Sequence, residues 1–346
     1  MSWKLKCFLH NTKGLIPFRN QLRRWKRAMF GYTASAARNA GTLREGLDQI
    51  RVIRQHIDIQ QATVLEIGTG WQPIIPLCFS LAGAREVLLT DLHPLMDAAT
   101  VRASFPAILD NAKLLEEELG VAPAEIEEFV RRGCSATSLA GMLDALRMRY
   151  LAPCDMCDSK LPAASVDIVV SHEVLEHIPP PIIEGILAET RRILTPHGIA
   201  CHLIDNSDHW QHVDRALSRV NFLKYSDSRF RWTHVAELHY QNRLRHSQYR
   251  RMFDRAGFDI RLEQREVDAG SRHDLVSRRV QVASQFREFP VDDLATLTSF
   301  FLTAPAESAA TQLERHSAAG YTSIKQGTVT ASLTEAAHDR EQGSIG

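Results

Sequence analysis

Long apolar runs are missing from this chain. None of its 346 residues falls in a stretch near the eighteen or so consecutive apolar positions that a membrane-crossing helix needs. The first ten residues likewise lack the apolar core of a secretion signal. Cysteine is sparse, with Cys7, Cys78, Cys134, Cys154, Cys157 and Cys201 spread without the dense spacing of a disulfide scaffold. Together these absences point to a reducing compartment, and the expected location is the cytoplasm. Net charge is missing too, since 41 Lys and Arg offset 41 Asp and Glu. The balance hides an asymmetry: residues 1–44 hold ten Lys or Arg and no Asp or Glu, which leaves the rest ten charges negative. With 44% apolar and 24% charged residues the composition is that of a folded globular protein.

What is present divides the chain into a basic start, a catalytic-sized domain and a polar end. In residues 1–60, Phe18, Leu22, Trp25 and Met29 recur at helical spacing while Arg19, Arg23, Arg24, Lys26 and Arg27 fill the other faces. This basic amphipathic helix has two readings. Residues 18–30 rest peripherally on an anionic inner-membrane surface, or the apolar stripe packs on the main domain. An acid-free, arginine-rich start also matches an organelle transit peptide. From residue 304 onward the chain is rich in Ala, Ser, Thr, Gln and Gly, and is expected to be disordered.

Between these ends, residues 61–303 alternate strand and helix signals. Residues 63–67 and 86–90 read as strands with a helix at 74–84 between them, and residues 166–171 and 199–204 as strands flanking a helix at 181–194 and a turn at 195–198. A strand at 258–263, a helix from Val276 and a strand at 297–303 follow. The alternation predicts an α/β, doubly wound, mostly parallel sheet. Residues 95–149 and 206–247 exceed a minimal domain of this kind and are expected as helical insertions over the ligand edge.

The central motif is Glu66-Ile67-Gly68-Thr69-Gly70, followed about twenty residues later by Asp91. Glycines at a strand's carboxyl end let the backbone approach a ligand, and an acid at that distance suits a ribose hydroxyl pair. Position 73, where a dinucleotide fingerprint wants its third glycine, is Pro73, and no P-loop Gly-Lys-Ser/Thr is present. Glu66 would repel a pyrophosphate and complements an ammonium or sulfonium cation.

The chain resembles the class I S-adenosylmethionine (SAM) dependent methyltransferases, in the branch whose fourth strand is followed by a Glu-His pair. The resemblance rests on that motif, Leu89-Thr90-Asp91, Leu161-Pro162, Val166 to Ser171, Val174-Leu175-Glu176-His177 and Arg192 to Gly198. It implies a seven-stranded Rossmann-like methyltransferase fold with SAM as cofactor. Glu66, Gly68, Thr69 and Gly70 would meet the methionine part, Asp91 and Leu92 the ribose, Asp155 and Met156 the adenine, with Asp158 the alternative to Asp155, and Ser171 and His172 beside them. Gln72 stands where many members have a third glycine, so contacts at that corner are open.

His172 and His177 resemble a zinc-protease pair but lie five residues apart, pointing about 140° from each other on a helix. Cys154 and Cys157 form a lone C-x-x-C, read as two thiols without redox or metal duty. His202, Asp205, Asp208, His209 and His212 have metal-ligand residue types in a spacing that matches no metal motif, and no metal is expected. They are read as an acceptor site at a strand end. A hydroxyl acceptor needs a base, for which His209 is the first candidate, beside Asp208, and His177 the second. Asn242 and Arg243 are expected to orient the acceptor. The aromatics Trp210, Phe222, Tyr225, Phe230, Trp232 and Tyr240 suit a polar ring such as a sugar, so the expected activity is methyl transfer to a small-molecule or glycan-type acceptor at oxygen. The alternatives are aminopropyl transfer, which wants an acid cluster, and a non-catalytic SAM-binding partner that docks through the basic helix. Nucleic acid is not an expected partner, since Asn-Pro-Pro-Tyr motifs are absent and the sole basic stripe past residue 44 is Arg243 to Arg251.

Overall fold

The structure, a computed structural model, describes residues 36–212, 214–231 and 240–306. The basic helix expected at residues 18–30, Trp232, the side chain of His212 and the tail beyond residue 306 lie outside them. In α1 (Ala36–Ile53), Leu43, Leu47, Ile50 and Ile53 recur at helical spacing and are all buried, so the helix is held by one apolar stripe. It precedes β1 (Thr63–Ile67), α2 (Ile74–Leu81) and β2 (Glu86–Thr90), short aliphatic strands around a helix whose residues are almost all buried.

Five helices follow: α3 (Ala98–Arg102), α4 (Phe105–Asp110), α5 (Ala112–Leu119), α6 (Pro123–Ser135) and α7 (Leu139–Ala145). After them come β3 (Met148–Leu151), β4 (Val166–His172), α8 (Pro180–Ile193) and β5 (Leu194–Asp205). The last third contains α9 (Asp227–Arg231), α10 (His246–Arg255), β6 (Phe258–Val267), α11 (Ala269–Val276), α12 (Val291–Leu294) and β7 (Thr296–Pro305).

The seven strands form one sheet in the order β3-β2-β1-β4-β5-β7-β6, the first five parallel and β7 antiparallel to both neighbours. Successive side chains on a strand face opposite ways, and both faces are covered. Val64, Val87, Leu89, Ile168 and Val170 join the cluster of α1 and α2; Leu65, Ile67, Leu88, Val169 and Ala200 join that of α8 and α10. The expected doubly wound α/β sheet with helical insertions is the one observed.

Four local expectations are corrected. Residues 95–149 hold the expected helices, α3 to α7, but they also hold the edge strand β3. Val101, Phe105, Ile108, Leu115, Ile126, Phe129 and Met142 bury into the core shared with α1 and α2. β3 escaped sequence reading because an edge strand of four residues, with Met148 its sole buried side chain, makes no apolar run. Residues 195–198 belong to β5, where a register shift between Val166 and Ile168 absorbs them. The helix expected to begin at Val276 ends there; its start is capped by Asp268, whose carboxylate accepts from the Ser271 amide. Finally, β7 runs to Pro305, slightly into the tail expected from residue 304.

Candidate active site

Strand order reverses about β1, which has β2 on one side and β4 on the other. Ligands of open α/β sheets bind at the carboxyl ends of the strands around such a point. There the structure has a cavity of about 840 Å³ whose walls include Gly68, Asp91, Leu92, Asp155, Met156 and His177, all expected from sequence, together with Glu173, Val174, Ile182 and Tyr240. A slightly larger cavity of about 900 Å³ lies between Arg85, Asp144 and Arg149, toward the amino-terminal ends of β2 and β3, away from these groups.

The glycine turn is built by backbone constraint. Gly68 has φ +73° and Gly70 φ +71°, and a Cβ at Gly68 would stand 2.8 Å from a Val174 methyl. The Gly68 and Thr69 amides donate to the Thr90 carbonyl at 2.9 and 3.0 Å, tying the turn to β2. Asp91 is fixed by the same loops: the Gly70 amide donates to Oδ2 and the His93 amide to Oδ1, each at 3.0 Å. Burial raises the Asp91 carboxyl against the pull of these amides. Glu66 is 6% exposed, its Oε2 has no partner, and burial lifts its carboxyl to about 7. An ammonium group would satisfy that oxygen, so the residues present fit the amino-acid end of SAM. Glu66, Thr69 and Gly70 are not among the cavity walls; Glu66 lies buried behind Ile67 and Gly68, and Gly70 acts through its bond to Asp91.

Ser171 and His172 do not line the cavity, contrary to expectation. The Ser171 hydroxyl and His202 Nδ1 are 2.8 Å apart, both fully buried. His172 faces α1, with Nε2 3.0 Å from Glu45 and Nδ1 3.3 Å from Gln49.

Of the expected cluster, His202 and Asp205 lie three apart on β5 and so face opposite ways. His202 stacks on Phe253 at 5.3 Å, and burial drives its imidazole down to about 4. Asp208 is 1% exposed and accepts from the Trp210 amide at 2.9 Å and from the Asn221 side-chain amide at 3.4 Å, so it braces the loop rather than bordering the methyl donor. Burial raises its carboxyl to about 6.

His209 takes a different place. Its Nε2 lies 3.1 Å from Asp205 Oδ2, and its ring centroid lies 5.0 Å from that of His177 on the cavity wall. Burial opposes ionisation of Asp205, but the His209 imidazole and Ser207 outweigh it and hold the carboxyl at about 2. Burial and then His209 lower the His177 imidazole.

Asn242 and Arg243 are corrected as acceptor-orienting groups. The Asn242 side-chain amide donates to the Leu175 and Ile178 carbonyls at 2.8 and 2.9 Å, and its oxygen accepts from Tyr249 at 3.0 Å. Arg243 donates to the Phe222 and Tyr225 carbonyls and to Asp227, under the rings of Phe230 and Phe286. Asn242 ties its stretch to the turn after β4, and Arg243 ties it to residues 222–227. Phe222 and Phe230 form a small core with Val280, Phe286 and Leu297; among the described residues of that aromatic set, Tyr240 lines the cavity. Glu173 lines the cavity from an exposed position, whereas Glu176 is buried, and the burial of Glu176 is invisible in sequence.

Burial raises the thiols of Cys154 and Cys157, and the described cysteines are all free, consistent with the reading of inert thiols. No helix among the described residues is long and apolar enough to cross a membrane.

A family model described as a methyltransferase domain matches residues 131–202, and no curated protein matches the chain. Among solved structures, the chain is similar to a protein described as a sarcosine dimethylglycine methyltransferase from Galdieria sulphuraria, at 14% identity and TM-score 0.43, covering 82% of this chain and 97% of that one. It is also similar to phosphoethanolamine N-methyltransferase 2 from Haemonchus contortus, solved with phosphomonomethylethanolamine and S-adenosylhomocysteine, at 16% identity and TM-score 0.41, covering 76% and 53%. A SAM-dependent methyltransferase from Mesorhizobium loti stands at 12% identity and TM-score 0.40, covering 75% and 99%. The matched stretch carries β3, the Asp155 loop, β4 and α8, and the pairing of β4 with β1 sets it against the glycine turn and Asp91. A recognised methyltransferase-domain segment thus joins a glycine-turn cavity whose residues fit SAM, which supports SAM-dependent methyltransferase activity.

Proposed function

We propose that this methyltransferase acts on a hydroxyl of a small-molecule or glycan-type acceptor. The observation that carries the reading is the Asp205, His209 and His177 array beside the cavity. Glu66 receives the SAM ammonium, Asp91 the ribose hydroxyls, and Asp155 with Met156 the adenine. SAM supplies a methyl group already activated by its sulfonium, so the protein's task is to align the acceptor and exclude water. A neutral hydroxyl is a poor nucleophile. His209, its Nε2 turned to Asp205, takes the acceptor proton on its other nitrogen; the oxygen bonds the methyl carbon, and the S–C electron pair stays on sulfur. Tyr240 offers the aromatic face that a sugar ring would use.

The test is His209→Ala assayed against glycan and lipid-linked sugar pools with labelled SAM. The expected result is at least a 100-fold loss of turnover with SAM affinity unchanged. Full turnover in that variant removes His209 as the base. SAM binding by wild-type protein without turnover on any acceptor would instead mark a binding partner.

A further inference from the structure

The turn after β4 carries a carboxylate that the methyl-transfer scheme leaves unused. Glu176 is 2% exposed, and neither of its side-chain oxygens has a hydrogen-bond partner. A buried polar group without a partner costs free energy, so native structures supply a donor, a water or a metal ion. The groups facing it narrow the choice. One oxygen of Glu176 and one ring nitrogen each of His177 and His209 lie within 4.8 Å of one another.

Both rings are held on their outer side as those of metal-ligating histidines are. His177 Nδ1 lies 2.9 Å from the Tyr240 carbonyl oxygen, which can only accept, so Nδ1 carries the proton and Nε2 the lone pair. Donation from His209 Nε2 to the Asp205 carboxylate likewise places that ring's lone pair on Nδ1. The turn itself is fixed in advance: the Asn242 amide donates to the Glu176 carbonyl at 2.7 Å, and its side chain clamps Leu175 and Ile178.

We infer that Glu176, His177 and His209 form a binding site for a divalent first-row transition cation at the rim of the SAM cavity, with Asp205 and Asn242 as positioning residues. Two imidazoles with one carboxylate favour such ions over Mg²⁺ and Ca²⁺, which prefer oxygen ligands. Metal–ligand bonds of about 2.0–2.2 Å set neighbouring donors about 3 Å apart, so the three side chains close by roughly an ångström on loading. A second trio, Glu45, His172 and Glu173, meets the same distance limit, but both ring nitrogens of His172 are taken by Glu45 and Gln49. The cation's use, though not its binding, rests on the oxygen-acceptor reading. Coordinated acceptor hydroxyl would ionise more readily, its proton leaving to water, and His209 would then serve as ligand in place of base.

The experiment is a Co²⁺ titration of the chelator-treated full-length protein, without SAM or acceptor, followed by the visible absorption of a nitrogen-ligated ion. One saturable equivalent is expected. It should weaken at least tenfold in Glu176→Gln and His209→Ala, about 10- to 100-fold in Asp205→Asn, and stay unchanged in His172→Gln. A SAM titration of each variant shows that the cofactor site still folds. The site is overturned by the lack of a saturable equivalent, by one that Glu176→Gln and His209→Ala leave intact, or by one that His172→Gln alone removes. Methyl transfer is assayed apart. Turnover on an oxygen acceptor that survives complete metal removal upholds the oxygen-acceptor reading and overturns the cation's role. Saturable Co²⁺ binding with no O-methyl product upholds the binding site and overturns the oxygen-acceptor reading, and with it the cation's role.

Discussion

Glu66, the next-to-last residue of β1, has one oxygen lacking a partner and a carboxyl pushed by burial to about 7. A bound ammonium favours the ionised form, so SAM binding should release a proton near neutrality and tighten between about pH 6 and 8. Calorimetry in buffers of different ionisation enthalpy reads the proton, and Glu66→Gln should abolish both the release and the pH dependence. An affinity flat across that range would take Glu66 out of the cofactor site. Gly68 is a second point of leverage, because its φ of +73° and the close Val174 methyl leave no room for a side chain. Gly68→Ala should cost about 1–2 kcal/mol in denaturant unfolding and weaken SAM at least tenfold. Both residues were legible in sequence, since a strand-end Glu-x-Gly-x-Gly is a local pattern.

Within β5, His202 couples strand packing to pH in the sense opposite to Glu66. Its imidazole is held down to about 4, so between about pH 6.5 and 4 the unfolded chain binds a proton that the folded one refuses, and stability falls as pH falls. Glu66, raised to about 7 from 4.5, refuses to ionise when folded, and stability falls as pH rises from about 4.5 to 7. Each shift corresponds to roughly 3 kcal/mol at most, so the two slopes nearly cancel in wild type. Denaturation midpoints should show Glu66→Gln gaining on wild type as pH rises through that window; a constant difference would contradict the buried, largely neutral carboxyl. In the lid element, Arg243 holds two carbonyls and Asp227 beneath the rings of Phe230 and Phe286. Arg243→Lys cannot reproduce that planar fork and should lose about 2 kcal/mol of stability while SAM affinity is kept, which a thermal melt and a titration check together. Sequence reading assigned this residue to the acceptor because a motif of exposed residue types and a buried clamp have the same letters.

For the whole molecule, residues 1–44 carry ten positive charges and no acidic residue, while the remainder carries a net ten negative charges. If the basic segment meets a membrane, the full chain should co-sediment with anionic vesicles in a salt-sensitive way, and removal of residues 1–35 should abolish this without altering SAM affinity. Sedimentation that is indifferent to the deletion assigns that role elsewhere. By itself the sequence determined every strand but β3, the glycine turn and Asp91, because each is written in consecutive residues whose periodicity or spacing is local, and their motifs carried the resemblance that implied the cofactor. The tertiary structure alone decided that residues 98–145 feed the core, that β7 runs antiparallel between β5 and β6, and that His202 and Asp208 turn inward. It also brought Glu176, His177 and His209 together across more than thirty residues of chain. Those outcomes depend on which face of a strand or turn each side chain takes and on what packs against it, and burial, unlike residue type, is a property of the folded whole.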